Sequence, residues 1–282
     1  MYSYHTHTEY CDGKSTIIEF CEKAISLNIK DIAFTSHAPL PMENHFSIRF
    51  EKLFQYKDAV LEVKNKFRKE LNIYLGLEAD YIPNQSVSFE QWRKLLNPDL
   101  LIGSIHLIVN PDNNKKWFID GPSSNYHNGL KDVFNGNIKK AVGCYFNQLR
   151  EMIQIEKPDI IGHLDKVVMN NEEKYFSIDD SWFRKEVIDT LYMIKEIGSI
   201  VEINSRGLYK KRYYDTFPGK WILKECENMK IPMILAPDAH HKDDLLPGLE
   251  LSLSYAKDAG VEKIYRFDGI KWIVIPIKSF SN

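Results

Sequence analysis

The chain has 282 residues, 44% hydrophobic and 27% charged, which is enough to bury a large core without disulfide staples and is ordinary for a water-soluble globular protein. Lys and Arg total 37 against 39 Asp and Glu, a formal net charge of -2, so bulk electrostatics favour neither nucleic acid nor an anionic membrane as partner and any phosphate recognition has to be local. The polar start from Met1 to Gly13 lacks the apolar core of a secretory signal, and Cys11, Cys21, Cys144 and Cys226 form no CxxC pair; together these read as reduced thiols in a cytoplasmic protein.

Short aliphatic or β-branched runs alternate with segments of helical period. In chain order, strand Tyr2–Thr8 precedes helix Ser15–Leu27 with Ser15 as its N-cap, and strand Asp31–Ser36 precedes helix Phe50–Leu71. Strand Ile73–Asp80 leads to helix Phe89–Leu96, and strand Leu100–Leu107, after a long interruption, to helix Ile138–Glu156. Strand Ile160–Leu164 leads to helix Ser181–Ile197, opened by Asp179 and stopped by Gly198; strand Ile200–Asn204 leads to helix Gly219–Met229. Strand Met233–Asp238 leads to helix Leu246–Ala259, stopped by Gly260, with a further strand near Trp272–Ile275. This βα order predicts an α/β fold with a parallel sheet, and seven or eight such strands favour a barrel in one domain spanning 1–282. The interruption, Val109–Gly136, is rich in Asn, Gly, Pro and Ser; it is far longer than a usual βα loop and reads as a functional insertion.

The chemistry gathers at the predicted strand ends. His5, His7, His37, His106, His163 and His240, with Asp12, Glu78 and Asp238, lie at or just past them, and in a parallel barrel those ends converge on the face where active sites are built. Alternation along an extended segment turns His5 and His7 to one side, a two-residue chelate for an ion such as zinc. Any one of these side chains is an ordinary hydrogen-bonded strand-end residue. Nine arriving in phase with the strands are not, because burying so many ionisable groups without metal is costly. They exceed one tetrahedral ion's needs and suffice for about two or three divalent ions, Zn, Fe or Mn, with positions left for water and substrate. Cys11 beside Asp12, and His241 beside His240, leave a one-residue alternative at each position.

His5-Thr6-His7-Thr8 with Asp12, Ser36-His37, Glu78, Ser104-Ile105-His106, Gly162-His163-Leu164-Asp165 and Asp238-Ala239-His240 resemble, in order and spacing, the motifs of the polymerase-and-histidinol-phosphatase (PHP) superfamily. The resemblance implies a distorted (βα)7 TIM-like barrel with a trinuclear centre. It places one ion on His5, His7, Glu78 and Asp238, a second on Glu78, His106 and His163, and a third on Asp12, His37 and His240, with Glu78 bridging the first two. Lys116-Trp117-Phe118-Ile119-Asp120 is similar to the histidinol-phosphatase branch.

The expected activity is therefore hydrolysis of a small phosphate monoester, L-histidinol phosphate first, by hydroxide held between metal ions, with histidine biosynthesis as the implied pathway. Arg206 would grip phosphate with its planar fork, Asp238 or His240 would protonate the leaving alkoxide, and Asp120 would contact the leaving group, as would Trp117 unless it and Phe118 pin the insertion to the barrel. Lys166 reads as a solvated or salt-bridged side chain, and His45, His127 and His241 as ordinary polar positions. Competing readings are the same centre acting on another phosphate ester, a non-catalytic metal-binding module, and a metal-dependent C–N hydrolase.

Overall fold

The computed structural model describes residues 1–280. Seven strands, β1 (Tyr2–Ser3), β2 (Asp31–Phe34), β3 (Asn72–Asp80), β4 (Leu100–Ser104), β7 (Ile160–Ile161), β8 (Ile200–Asn204) and β9 (Met233–Ala236), lie side by side in that order, all parallel. Every residue of these strands but Asn72 is buried, as expected of parallel strands covered on both faces. The helices α1 (Ile17–Ser26), α2 (Leu53–Lys66), α3 (Phe89–Leu96), α5 (Ile138–Glu156), α6 (Ser181–Ile197), α8 (Lys220–Met229) and α9 (Leu245–Asp258) return the chain between strands; a four-residue turn of helix, α7 (Arg206–Tyr209), follows β8. The sheet curls until its two edges meet, where Thr6 bridges Ala239, His7 N–H donates to the Ala239 carbonyl at 2.8 Å and Ala239 N–H donates to the His5 carbonyl at 3.1 Å. This is the nearly closed, distorted TIM-like barrel that the strand count predicts.

Local chemistry explains the helix ends. Thr16, not Ser15, caps α1, in a reciprocal box with Glu19; Ser15 is instead buried and accepts from Lys242 N–H. Ser88 and Gln91 form the same box on α3. At α6 the preceding residue is Asp180 rather than Asp179, and neither caps with its side chain; Gly198 stops the helix with φ of 86°, a left-handed conformation that suits glycine.

Two expectations change. Val109–Gly136 is no irregular loop: β5 (Leu107–Val109) pairs antiparallel with β6 (Lys116–Phe118), and α4 (Ser123–Phe134) covers the hairpin. Trp117 Nε1 donates to the Tyr126 carbonyl at 2.9 Å, and Gly129 makes the packing possible, since a Cβ there would stand 2.3 Å from the indole. The strand near Trp272–Ile275 exists as β11 (Trp272–Pro276), but it pairs antiparallel with β10 (Lys263–Phe267) outside the barrel. That hairpin packs against β9 and is tied to the first strands: Phe267 N–H donates to Tyr4 Oη, just past β1, at 3.0 Å, and Arg266 grips buried Asp31 at the start of β2 through two hydrogen bonds of 2.6 and 2.9 Å. Arg266→Ala would strand the Asp31 carboxylate with Asn72 as its remaining side-chain donor. It should lower the unfolding free energy by about 2 kcal/mol, read as a reduced urea midpoint with metal content unchanged.

Candidate metal centre

The nine residues singled out in the sequence meet at the C-terminal mouth of the barrel. The seam sets the first of them: because Thr6 and Ala239 bridge, His5 and His7 flank one side of the closure and Asp238 and His240 the other. The imidazoles of His5 and His7 point the same way, Nε2 to Nε2 3.0 Å. Glu78 sits on β3 beside His37, with which it forms a parallel bridge. Gly162, just before His163, is needed as glycine because a Cβ there would fall 2.3 Å from Ser104 Oγ, the hydroxyl that donates to Glu78 Oε1 at 2.6 Å. Asp238 holds a φ of 50°, a strained conformation of the kind that clusters at functional sites.

The spacing of the donor atoms fits metal coordination. Two ligands on one tetrahedral zinc stand about 3.3 Å apart, given bond lengths near 2.0–2.1 Å. His5 Nε2 and His7 Nε2 each lie 3.3 Å from Glu78 Oε2, and Asp238 Oδ1 lies 3.4 Å from His7 Nε2 and 3.8 Å from His5 Nε2. A second group gathers Glu78 Oε1, His163 Nε2 at 3.0 Å and His106 Nε2 at 3.8 Å. A third gathers Asp12 Oδ1, His240 Nε2 at 3.3 Å, and His37 Nε2 and His7 Nδ1 at 3.9 Å. Among the described residues, Asp12 Oδ1, His37 Nδ1, His163 Nδ1 and Asp238 Oδ1 are buried without a hydrogen bond, a cost that a bound cation would remove for its ligand atoms. The donor set therefore fits divalent metal, which the chain is built to bind.

Electrostatics agree. Burial alone would raise the pKa of Glu78, but the charges of His37 and His5 and the hydrogen bond with His163 outweigh it and hold the carboxyl well below its ordinary range. Asp238 is likewise depressed against burial by His5 and Arg206. The imidazoles split: burial dominates at His7, whose pKa is pushed far down, whereas at His5 the charges of Glu202 and Asp238 overcome burial and push it far up. Asp12, and not its neighbour Cys11, joins the donor groups; the Cys11 thiol instead lies against the Thr8 carbonyl at 3.4 Å. His241 is equally excluded, turned outward against Asp243.

Two carboxylates that sequence reading missed hold the ligands from behind. Glu202 on β8 binds His5 Nδ1 at 2.7 Å through one oxygen, and its other oxygen accepts from His163 N–H and Asn204 Nδ2, both at 2.8 Å. Asp80 binds His106 Nδ1 at 2.9 Å and its backbone N–H at 2.9 Å. Such partners fix the tautomer that leaves Nε2 free for metal. Asp80 could have been read from parity, standing two residues after Glu78 on one strand.

A cavity of about 260 Å³ opens onto the ligands, lined further by Phe46, Phe118, Asp120, Lys166, Arg206 and Arg212. Arg206 is in place, its Nη1 3.0 Å from the Asp238 carbonyl and 2.7 Å from His240 Nδ1. Trp117 is not: it is fully buried in the insertion, and strand alternation turns its neighbours Phe118 and Asp120 to the cavity instead. Asp120 is already paired, with Lys166 Nζ at 3.2 Å and Arg212 Nη1 at 3.2 Å. Lys166 is salt-bridged as expected, but buried and in the site rather than solvated.

Glu202→Gln tests the support shell. Whichever way it is turned, the amide sets its NH2 against at least one of the three groups that need an acceptor, so zinc affinity should fall roughly 10- to 100-fold in a competition titration against a chromogenic chelator. An affinity equal to wild type would remove Glu202 from the metal centre.

A family model for the PHP domain matches residues 3–206. The histidinol-phosphatase of Bacillus subtilis is 25% identical over 276 residues, covering 92% of this chain and 97% of that protein. A Listeria monocytogenes crystal structure, described as a candidate histidinol phosphatase, aligns with a TM-score of 0.78 at 22% identity over 89% of this chain and 99% of that one. The histidinol phosphate phosphatase of Lactococcus lactis, complexed with zinc, L-histidinol and phosphate, aligns with a TM-score of 0.67 at 18% identity over 96% and 98%. With the family model spanning most of the barrel and its motifs meeting at one mouth, the chain belongs to the PHP domain family.

Proposed function

We propose that this protein is a metal-dependent phosphomonoesterase that hydrolyses L-histidinol phosphate to L-histidinol and phosphate. The observation that carries the reading is that seven of the nine donor residues line, with Arg206, a cavity of about 260 Å³, a volume suited to a small monoester. The Bacillus and Lactococcus relatives support the choice of ester.

His5, His7, Glu78 and Asp238 would hold one divalent ion, Glu78, His106 and His163 a second, and Asp12, His37 and His240 a third. When bound, such ions acidify coordinated water and neutralise phosphoryl oxygens. The protein's own groups do the rest. Arg206, anchored by the Asp238 carbonyl, directs guanidinium donors at the phosphoryl oxygens, where planar bidentate geometry is strongest. Asp238 or His240, both beside Arg206 at the cavity, would pass to the leaving alkoxide a proton first taken from the attacking water, since the Asp238 carboxyl is held well below its ordinary range and carries none of its own. Asp120 would receive the substrate's cationic side, but only by exchange, because Lys166 and Arg212 already neutralise it; Arg212, the more exposed partner, is the one to yield. The net positive charge of this trio favours a second reading, the same centre acting on another small phosphate monoester.

Two measurements test the proposal. Protein reconstituted with excess zinc or manganese should hold about two or three equivalents by elemental analysis and lose phosphate release on chelation; one equivalent or fewer would end the trinuclear assignment. L-Histidinol phosphate should exceed simple alkyl and aryl phosphates in kcat/KM by about 100-fold, or roughly 2.7 kcal/mol, and a ratio near one would select the second reading.

Arg206→Ala should lower kcat/KM on every ester roughly 100-fold while sparing metal content, and Arg206→Lys should recover little because a point charge cannot reproduce the fork. Wild-type kinetics in both variants would exclude the phosphate contact.

A further inference from the structure

Besides the charged trio, the cavity has an aromatic wall that the phosphatase chemistry does not use. Phe118 reaches it from β6, and Phe46 from the segment between β2 and α2. The two rings stack, centroids 5.7 Å apart and planes within 24°, and Phe46 also meets the ring of His37 edge-on at 5.4 Å. An unbroken run of π-faces thus leads from a metal-ligating imidazole to the cavity wall. Both phenyl rings are only partly buried.

Phe46 is held by a purpose-shaped loop. The chain leaves the barrel after His37 and comes back beside it, where Ile48 N–H donates to the His37 carbonyl at 3.0 Å and Ile48 is buried as an anchor. Within the loop, Asn44 Oδ1 accepts from the N–H groups of Phe46 and Ser47 at 3.1 and 2.8 Å. Its closing hydrogen bond shares a residue with the metal centre, so ring and ligand keep a fixed relation. Phe118 is fixed independently by the pairing of β6 with β5.

Resting on the phosphatase reading, we propose that Phe46 and Phe118 are the specificity-determining pair, taking the flat face of a planar ring in the leaving group while the metal centre and Arg206 take the phosphoryl end. Metal ions and guanidinium contact only phosphate and cannot tell one leaving group from another. An aromatic wall selects for a π-system by offset stacking or edge contact, and for a protonated ring by cation–π attraction. The substrate class it fits is a phosphate ester whose alcohol carries an aromatic heterocycle within a few bonds of the ester oxygen.

The test uses metal-loaded full-length protein and two esters that share a cationic amine, L-histidinol phosphate and O-phosphoethanolamine, the second lacking a ring. Phe46→Leu and Phe118→Leu keep apolar bulk and remove the π-face. Each should cut the ratio of the two kcat/KM values by roughly 10-fold, the size expected for one good aromatic contact, mainly through a higher KM for the ring-bearing ester; Phe46→Tyr should restore most of the ratio. An unchanged ratio in both leucine variants of an enzyme that hydrolyses both esters would overturn the aromatic wall and leave the phosphatase reading standing. Absence of phosphate release from every ester by wild type would overturn both.

Discussion

The structure is organised around one buried carboxylate. Glu78 is almost wholly removed from solvent, yet its two oxygens lie within 3.0 to 3.8 Å of imidazole nitrogens from five histidines on different parts of the barrel. A charge in that position is tolerable only when surrounded by cations or donors. Everything near it serves that need: Ser104 donates to it, Gly162 keeps space for Ser104, and the strands on either side deliver their ends at the height of its carboxyl group.

That requirement ties the fold to the site. In a self-sufficient barrel the hydrogen-bonded ladder closes by itself and the mouth is decorated afterwards. Here the closure consists of the bridge between Thr6 and Ala239, and each of these residues is flanked by two candidate ligands. Buried carboxylate oxygens left without partners at the seam, Asp12 Oδ1 and Asp238 Oδ1 among them, would weaken it, and shared coordination would clamp it. Away from the mouth, the hairpin β10–β11 is hydrogen-bonded to Tyr4, Asp31 and Tyr74.

How much was legible in the sequence follows from where each signal lives. The nine candidate ligands are legible because polar residues that end apolar runs stand out, and because strand ends of a parallel barrel share one face. The helices at Phe89–Leu96, Ile138–Glu156 and Ser181–Ile197 were read to the residue, since amphipathic period and end signals coincide there. Glu202 was hidden for the opposite reason: it lies inside the run Ile200–Asn204, and its value depends on a register that places it beside His5 and His163, which no local pattern encodes. Trp117 stands out through the resemblance of residues 116–120 to a family branch, whereas parity along β6 turns Phe118 and not Trp117 to the cavity, with Asp120 beyond the strand end. Phe46 and Arg212 sit on connecting segments without periodicity, and only tertiary packing reveals them.

The seam also bears on the order in which the protein can come into being. His5 and His7 leave the ribosome well before Asp238 and His240, which emerge after nearly all of the barrel has been made. Contacts of such sequence separation carry the largest loop-closure penalty and form late. During synthesis, then, the nascent chain presents an incomplete set of donors: the pairs His5 with His7 and His106 with His163 can assemble as half-sites, but no arrangement joining both edges exists until β9 arrives. A metal captured early would sit on a partial ligand set, exchangeable with the cellular pool, and would become locked in only when the last strand closes the ring.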